Sequence, residues 1–154
     1  MSRAFVKEQD IETFQELPDR PISPHSNDVT PEGMAQIEQA FDASREALAA
    51  AQAADDQDAI TAAARELRYW SARRATARIA RPIGDVTKVR FGSTVTIRRN
   101  DDRRQTFRIV GEDEADPPNG TISHVLPLAR SLFGKRVGDV VRAGTGEAEI
   151  EEVG

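Results

Sequence analysis

Apolar positions between residues 30 and 81 recur at helical spacing. Met34, Ile37, Phe41, Ser44, Leu48 and Ala51 alternate steps of three and four, the seam of a two-helix coil. Thr30-Pro31-Glu32 opens this helix: a threonine fit to cap, a proline suited to the first helical position, an acid at the positive helix end. Gly33 is a mild cost there. At about 1.5 Å per residue, Pro31 to Ala54 runs roughly 36 Å. A weaker stripe of Ile60, Ala64, Leu67, Ser71, Ala75 and Ile79 predicts a second helix from Gln57 to Arg81, stopped by Pro82 and Gly84. The alanine run Ala47–Ala54 favours helix and close approach. With only a short turn over Ala54–Asp58, the two helices are expected to be antiparallel neighbours.

Beyond residue 88 the period changes to two. Val89-Arg90-Phe91, Thr94–Arg98 and Thr106–Val110 read as strands, with Asn100-Asp101-Asp102 as the turn between the last two. Pro117-Pro118-Asn119-Gly120 marks a loop before Thr121-Ile122-Ser123. Leu128–Phe133 reads as one or two helical turns closed by Gly134, and Val137–Arg142 and Ala148–Val153 complete a small antiparallel sheet. The expected class is α+β. A proline-containing, loosely ordered leader spans 1–29, an antiparallel coiled-coil hairpin 30–82, and a small β domain with a short helix 83–154. In the leader, Pro18, Pro21 and Pro24 deny helix and sheet their donors, and a short helix is expected at most over Gln9–Glu16.

Composition narrows the function. Apolar residues make up 38% and aromatics 5%, lean for one globule of 154 residues but suited to an arm that buries one stripe per helix. The chain has no cysteine, so disulfides and thiolate metal sites are out, and a reducing cytoplasm is the expected location. The net charge of −5 argues against general nucleic-acid coating, yet it hides an asymmetry. Residues 31–58 hold seven acids against Arg45, giving −6; residues 65–81 hold six arginines against Glu66, giving +5.

Three groups of residues are candidates for chemistry. Asp55, Asp56 and Asp58 crowd the hairpin turn and offer hard oxygen ligands of the kind Mg²⁺ takes; the same residues read equally as a solvated turn with helix-capping acids. Arg65, Arg68, Arg73 and Arg74, beside Tyr69 and Trp70, are candidates to contact RNA or an acidic partner, or else form a solvated face over packed rings. His25 and His124 stand far apart without cysteine neighbours, so neither a metal site nor a histidine-based nucleophile is expected. No intrinsic cofactor, no metal of its own and no independent enzymatic activity are expected.

The motifs "FGSTVTI" (91–97), "FRIVGEDEAD" (107–116), "IS" (122–123), "PLARSLFGK" (127–135) and "VGDVV" (137–141) follow in an order that resembles the GreA/GreB transcript-cleavage factors. "VTPEGMAQIE" (29–38) resembles the opening of that family's first helix. The resemblance implies an FKBP-like C-terminal domain that binds the rim of RNA polymerase. It also implies a coiled coil that enters the secondary channel to modulate elongation, where tip acids stimulate cleavage of backtracked RNA at the polymerase's own Mg²⁺ centre. Nascent RNA would then be a contact, and the factor a monomer. By the same resemblance Ser123, Leu126 and Pro127 are the polymerase-docking candidates. Here the docking loop carries Val125-Leu126-Pro127 where the family has Asp-Ser-Pro. Alignment through "AAREL" (63–67) puts Ala54 and Gln57 where the family's two functional acids stand. The Asp-x-x-Asp spacing is closer to the tip of DksA-type secondary-channel regulators, which makes a non-cleaving regulator of that type the alternative. The hairpin is also shorter than the family's by roughly one to two turns per helix, on the order of 10 Å. Two further readings compete with it. A prolyl isomerase needs an aromatic-lined pocket, for which residues 89–154 supply only Phe91, Phe107 and Phe133; a self-associating hairpin is the other.

Overall fold

The computed structural model describes residues 18–81 and 84–154. The expected helix over Gln9–Glu16 and the Pro82 stop lie outside them. The described residues divide into two compact units, one of 18–24 and 37–76, the other of 25–36, 77–81 and 84–154. This division departs from a boundary at residue 30, because the segment around the first helix start belongs with the sheet.

The first unit holds most of a helix pair, α1 (Pro31–Ala53) and α2 (Gln57–Thr76). All six stripe positions of α1 are buried or half-buried, with Ile37 at 1% exposure. The α2 stripe is shifted from expectation: Ala63 and Arg73 are its buried residues, while Ala75 is exposed and Ile79 lies past the helix end. Small side chains leave an open apolar groove of about 410 Å³ along Ala43, Ser44, Ala47, Ala59, Ala62 and Ala63. Ser44 is accommodated there by donating its hydroxyl to the Ala40 carbonyl at 2.8 Å.

In the second unit, α2's continuation to Arg81 is replaced by strand pairing. β1 (Asp28–Val29) and β2 (Arg78–Ile79) form a two-stranded parallel ladder. The Arg78 N–H donates to the Asn27 carbonyl and the Ala80 N–H to the Val29 carbonyl, both at 2.9 Å. A local pattern could not show this, because the partner lies fifty residues away in the register Asp28↔Arg78. Residues 25–29, expected to be loose, are thereby built in, with Asn27, Val29 and Thr30 buried.

A five-stranded sheet follows in the order β5-β4-β3-β7-β6. Its strands are β3 (Thr94–Arg99), β4 (Arg104–Val110), β5 (Thr121–Ser123), β6 (Val140–Ala143) and β7 (Gly146–Val153). Pairing is antiparallel except between β4 and β5, which run parallel through the Pro117–Asn119 turn of 3₁₀ helix. Gly120, at φ 86°, closes that turn in the left-handed region that glycine tolerates. Residues 89–91 form no strand; the Val89 N–H instead donates to the Lys135 carbonyl at 2.8 Å. Strict alternation places Val95, Ile97, Phe107, Ile109, Ala148 and Ile150 on one face, and Ala129 and Leu132 of the short helix α3 (Pro127–Leu132) cover them. A bulge shifts the β3–β7 register between Thr96 and Ile97. The opposite face is charged: Arg98 pairs with Glu149 and Glu151, and Arg104 with Glu151. Phe107 lies in the core and Phe91 meets His124 edge-on at 5.5 Å, so these rings do not gather into the pocket a prolyl isomerase needs.

A carboxylate ties the start of α1 into this unit. Thr30 caps α1, accepting the Gly33 N–H at 3.0 Å. Glu114 accepts the Thr30 N–H at 2.9 Å, the Gly111 N–H at 3.2 Å and the Thr30 hydroxyl. The Glu114 side chain sits so close that a Cβ at Gly33 would stand 2.0 Å from its Oε2. Gly33, a cost on helix propensity alone, here leaves room for the Glu114 carboxylate, which a larger residue would displace from its bonds to Thr30 and Gly111.

Candidate functional site

The turn between α1 and α2 is closed by the backbone. The Ala54, Asp55 and Asp56 N–H groups donate to the carbonyls of Ala50, Gln52 and Ala51 at 3.0–3.1 Å. Asp55 adopts φ 50°, a left-handed conformation that aspartate visits more readily than most residues. Asp56 caps α2, its Oδ1 accepting the Ala59 N–H at 3.2 Å. Asp58 lies in the first turn of α2, where a negative charge is favoured. All three acids are exposed. They do not converge: among the described residues no three or more histidine, cysteine or acidic side chains are grouped to hold a metal ion.

The four arginines of α2 have separate surroundings. The Arg65 Nε donates to the Pro18 carbonyl and the Arg68 Nε to Asp19, each at 2.8 Å. Arg74 lays its guanidinium 4.6 Å from the centre of the Phe41 ring, a cation–π contact between the two helices. Arg73 corrects the expectation of a contact with RNA or a partner. It is 2% exposed, so a partner approaching the surface does not meet it.

In the second unit, the segment after β5 makes a short apolar loop. Leu126 has extended backbone and is 40% exposed, and Pro127 is exposed at the first position of α3. Ser123 is buried instead, and its hydroxyl accepts the Val125 N–H at 3.3 Å. It shapes the loop from inside, so of the three docking candidates only Leu126 and Pro127 are presented. Sequence reasoning passed over the neighbours of this loop. His124 is half-buried, with Nε2 enclosed and lacking a hydrogen-bond partner among the described residues. Burial pushes its pKa below the ordinary histidine value, against the opposing charges of Asp28 and Glu112. Arg130 of α3 approaches His25 Nδ1 at 3.3 Å, joining residues 105 positions apart that nothing in the local pattern connects.

Compared with known proteins, residues 84–153 match the family described as "Transcription elongation factor, GreA/GreB, C-term". This C-terminal stretch is thus similar to the C-terminal domain of GreA/GreB factors. Curated relatives named Transcription elongation factor GreA agree. That of Hyphomonas neptunium is 57% identical over 54 residues, covering 34% of each chain. That of Pseudomonas putida is 46% identical over 71 residues, covering 43% of this chain and 44% of its own. The alignments thus span about a third to under a half of the length of these relatives. Among solved structures, GreA factor homolog 1 (Gfh1) of Thermus thermophilus is 21% identical with a TM-score of 0.38, over 84% of this chain and 99% of that one. A GreA/GreB factor from Nitrosomonas europaea is 18% identical with a TM-score of 0.40, over 84% and 98%. Likeness at that level fixes no residue's role. The GreA/GreB match sets aside the DksA-type alternative, which rested on the spacing of three acids in a turn. Among the described residues no helix is long and apolar enough to cross a membrane.

Proposed function

We propose that this chain is a GreA/GreB-type elongation factor that binds bacterial RNA polymerase and acts on the polymerase's chemistry rather than performing its own. The observation that carries the reading is the joint presence of a GreA/GreB C-terminal domain and a helix pair ending in an exposed acidic turn. In this reading the sheet unit docks on the polymerase through the Leu126-Pro127 loop, and the α1–α2 pair enters the secondary channel. The Mg²⁺ in this reading is the polymerase's, approached by the exposed acids of the turn. Mg²⁺ keeps several waters and takes one or two protein carboxylates, a demand that a separated pair such as Asp55 and Asp58 meets. Arg65 and Arg68 contact the protein wall of the channel. The chain works in the bacterial cytoplasm as a monomer.

The test is a stalled, backtracked elongation complex incubated with the purified chain, scoring binding, transcript cleavage and resumed elongation. Asp55, Asp56 and Asp58 changed together to asparagine should leave binding intact and abolish the transcriptional effect. Absence of both binding and any effect by the native chain would end the reading. Cleavage surviving the triple change would remove the acids from it.

A further inference from the structure

The leader residues nearest the helix pair are seated on α2. Arg20 donates to Glu66 at 2.7 Å and lays its guanidinium 3.7 Å from the centre of the Tyr69 ring and 5.6 Å from that of Trp70. Tyr69 and Trp70 meet edge-on at 4.9 Å, forming one aromatic ledge. Together with the Arg65–Pro18 and Arg68–Asp19 bonds, three consecutive leader residues contact one face of α2. Positions 65, 66, 68 and 69 lie on adjoining turns of one helix, so one stripe of α2 meets these three residues.

The stripe is of mixed sign: two arginines flank Glu66 beside the rings. Its occupant matches it group by group, with a carbonyl and a carboxylate on the arginines and a guanidinium on the acid and the rings. A nucleic-acid strand brings phosphates but no cation, which leaves Glu66 facing like charge and the rings without their guanidinium. The complementary partner is a peptide. The contacts are also displaceable, since the Arg68–Asp19 side chains are 53% and 62% exposed and such pairs contribute only about 0–1 kcal/mol each.

We propose that this face of α2 is a recognition surface for an extended protein segment carrying an acid followed by an arginine. Residues 18–20 are its tethered occupant and hold it shut until a partner's segment displaces them. This inference does not depend on polymerase binding. A tether acts at an effective concentration of about millimolar, so a free peptide competes poorly with the native chain.

The experiment uses the full chain, native and with D19A/R20A, and a fluorescein-labelled peptide of the sequence Pro-Asp-Arg-Pro-Ile-Ser-Pro, read by anisotropy. Opening the face should raise peptide affinity about tenfold or more. Adding Glu66→Gln or Arg68→Ala to the opened chain should remove the gain, and a peptide of scrambled order should not bind. Far-UV circular dichroism checks the helices; should the double change unfold them, Arg20→Gln alone takes its place. Equal peptide binding by native and opened chains, or none by either, overturns the proposal. So does a single-stranded RNA oligonucleotide that binds the opened chain more tightly than the peptide. A native dimer that becomes monomeric on D19A/R20A overturns the tethered assignment in favour of exchange between copies.

Discussion

The two units of this protein solve the same problem with unequal means. In the sheet unit, Val95, Ile97, Ile109, Leu132 and Ile150 are wholly buried, and α3 closes the layer over them. In the helix pair, apart from Ile37, the buried positions are Gly33, Ser44, Ala51, Ala63 and Arg73, and an open groove runs along the alanines. Large branched side chains remove far more apolar area from water than alanines do, at about 25 cal/mol per Å². The sheet unit therefore carries the stability, and it is also the unit that carries the family match. The helix pair relies on propensity, capping, the Arg74–Phe41 contact and the leader's grip on α2.

The contrast can be broken most directly in the sheet core. Ile150→Ala should cost about 2–5 kcal/mol in urea denaturation; a loss no larger than that of Leu48→Ala in the helix pair would erase the difference. Next in size is Gly33→Ala. Helix propensity alone would make it favourable by about 1 kcal/mol, whereas the clash with Glu114 should make it unfavourable by about 1–3 kcal/mol. The loss should shrink when the change is made in a Glu114→Ala background; an equal loss in both backgrounds would show that the carboxylate is not the cause. In the helix pair, Asp56→Ala should cost about 1 kcal/mol through the lost cap on α2, seen as a lower melting temperature, with Asp58→Ala smaller.

The smallest effect concerns pH. His124 has a folded pKa lowered mainly by burial, so below the ordinary histidine pKa of 6.5 the unfolded chain binds the proton more readily than the folded one. Stability should be full above that value and decline as pH falls through it towards the lower folded pKa. His124→Gln should flatten the melting temperature between pH 7.5 and 5.5; an unchanged slope would mean that other groups govern it.

The α1 stripe, the turn at residues 54–58 and strands β3, β4 and β7 were legible because each is written in a run of neighbouring residues. Period and turn chemistry act over that range. What escaped is long-range. α2 stops at Thr76 because Arg78 finds Asp28, and no local signal distinguishes that from one more helical turn. Arg73 reads as surface by residue type and is buried by packing. Among the candidate sites, the acids at the turn lie where the pattern put them. Ser123 proved internal, and the grip of Pro18, Asp19 and Arg20 on α2 was hidden among prolines that favour no regular element.

The parallel ladder of β1 and β2 carries one more consequence. It fastens the stretch leading into the helix pair to the stretch leading out, so everything from residue 30 to 77 is a cassette closed at its base by backbone bonds. A nick at the acidic turn would leave both fragments held. Whole turns can be added to or removed from the two helices together without rewriting the β1–β2 ladder, so their length can be retuned while that pairing stays the same.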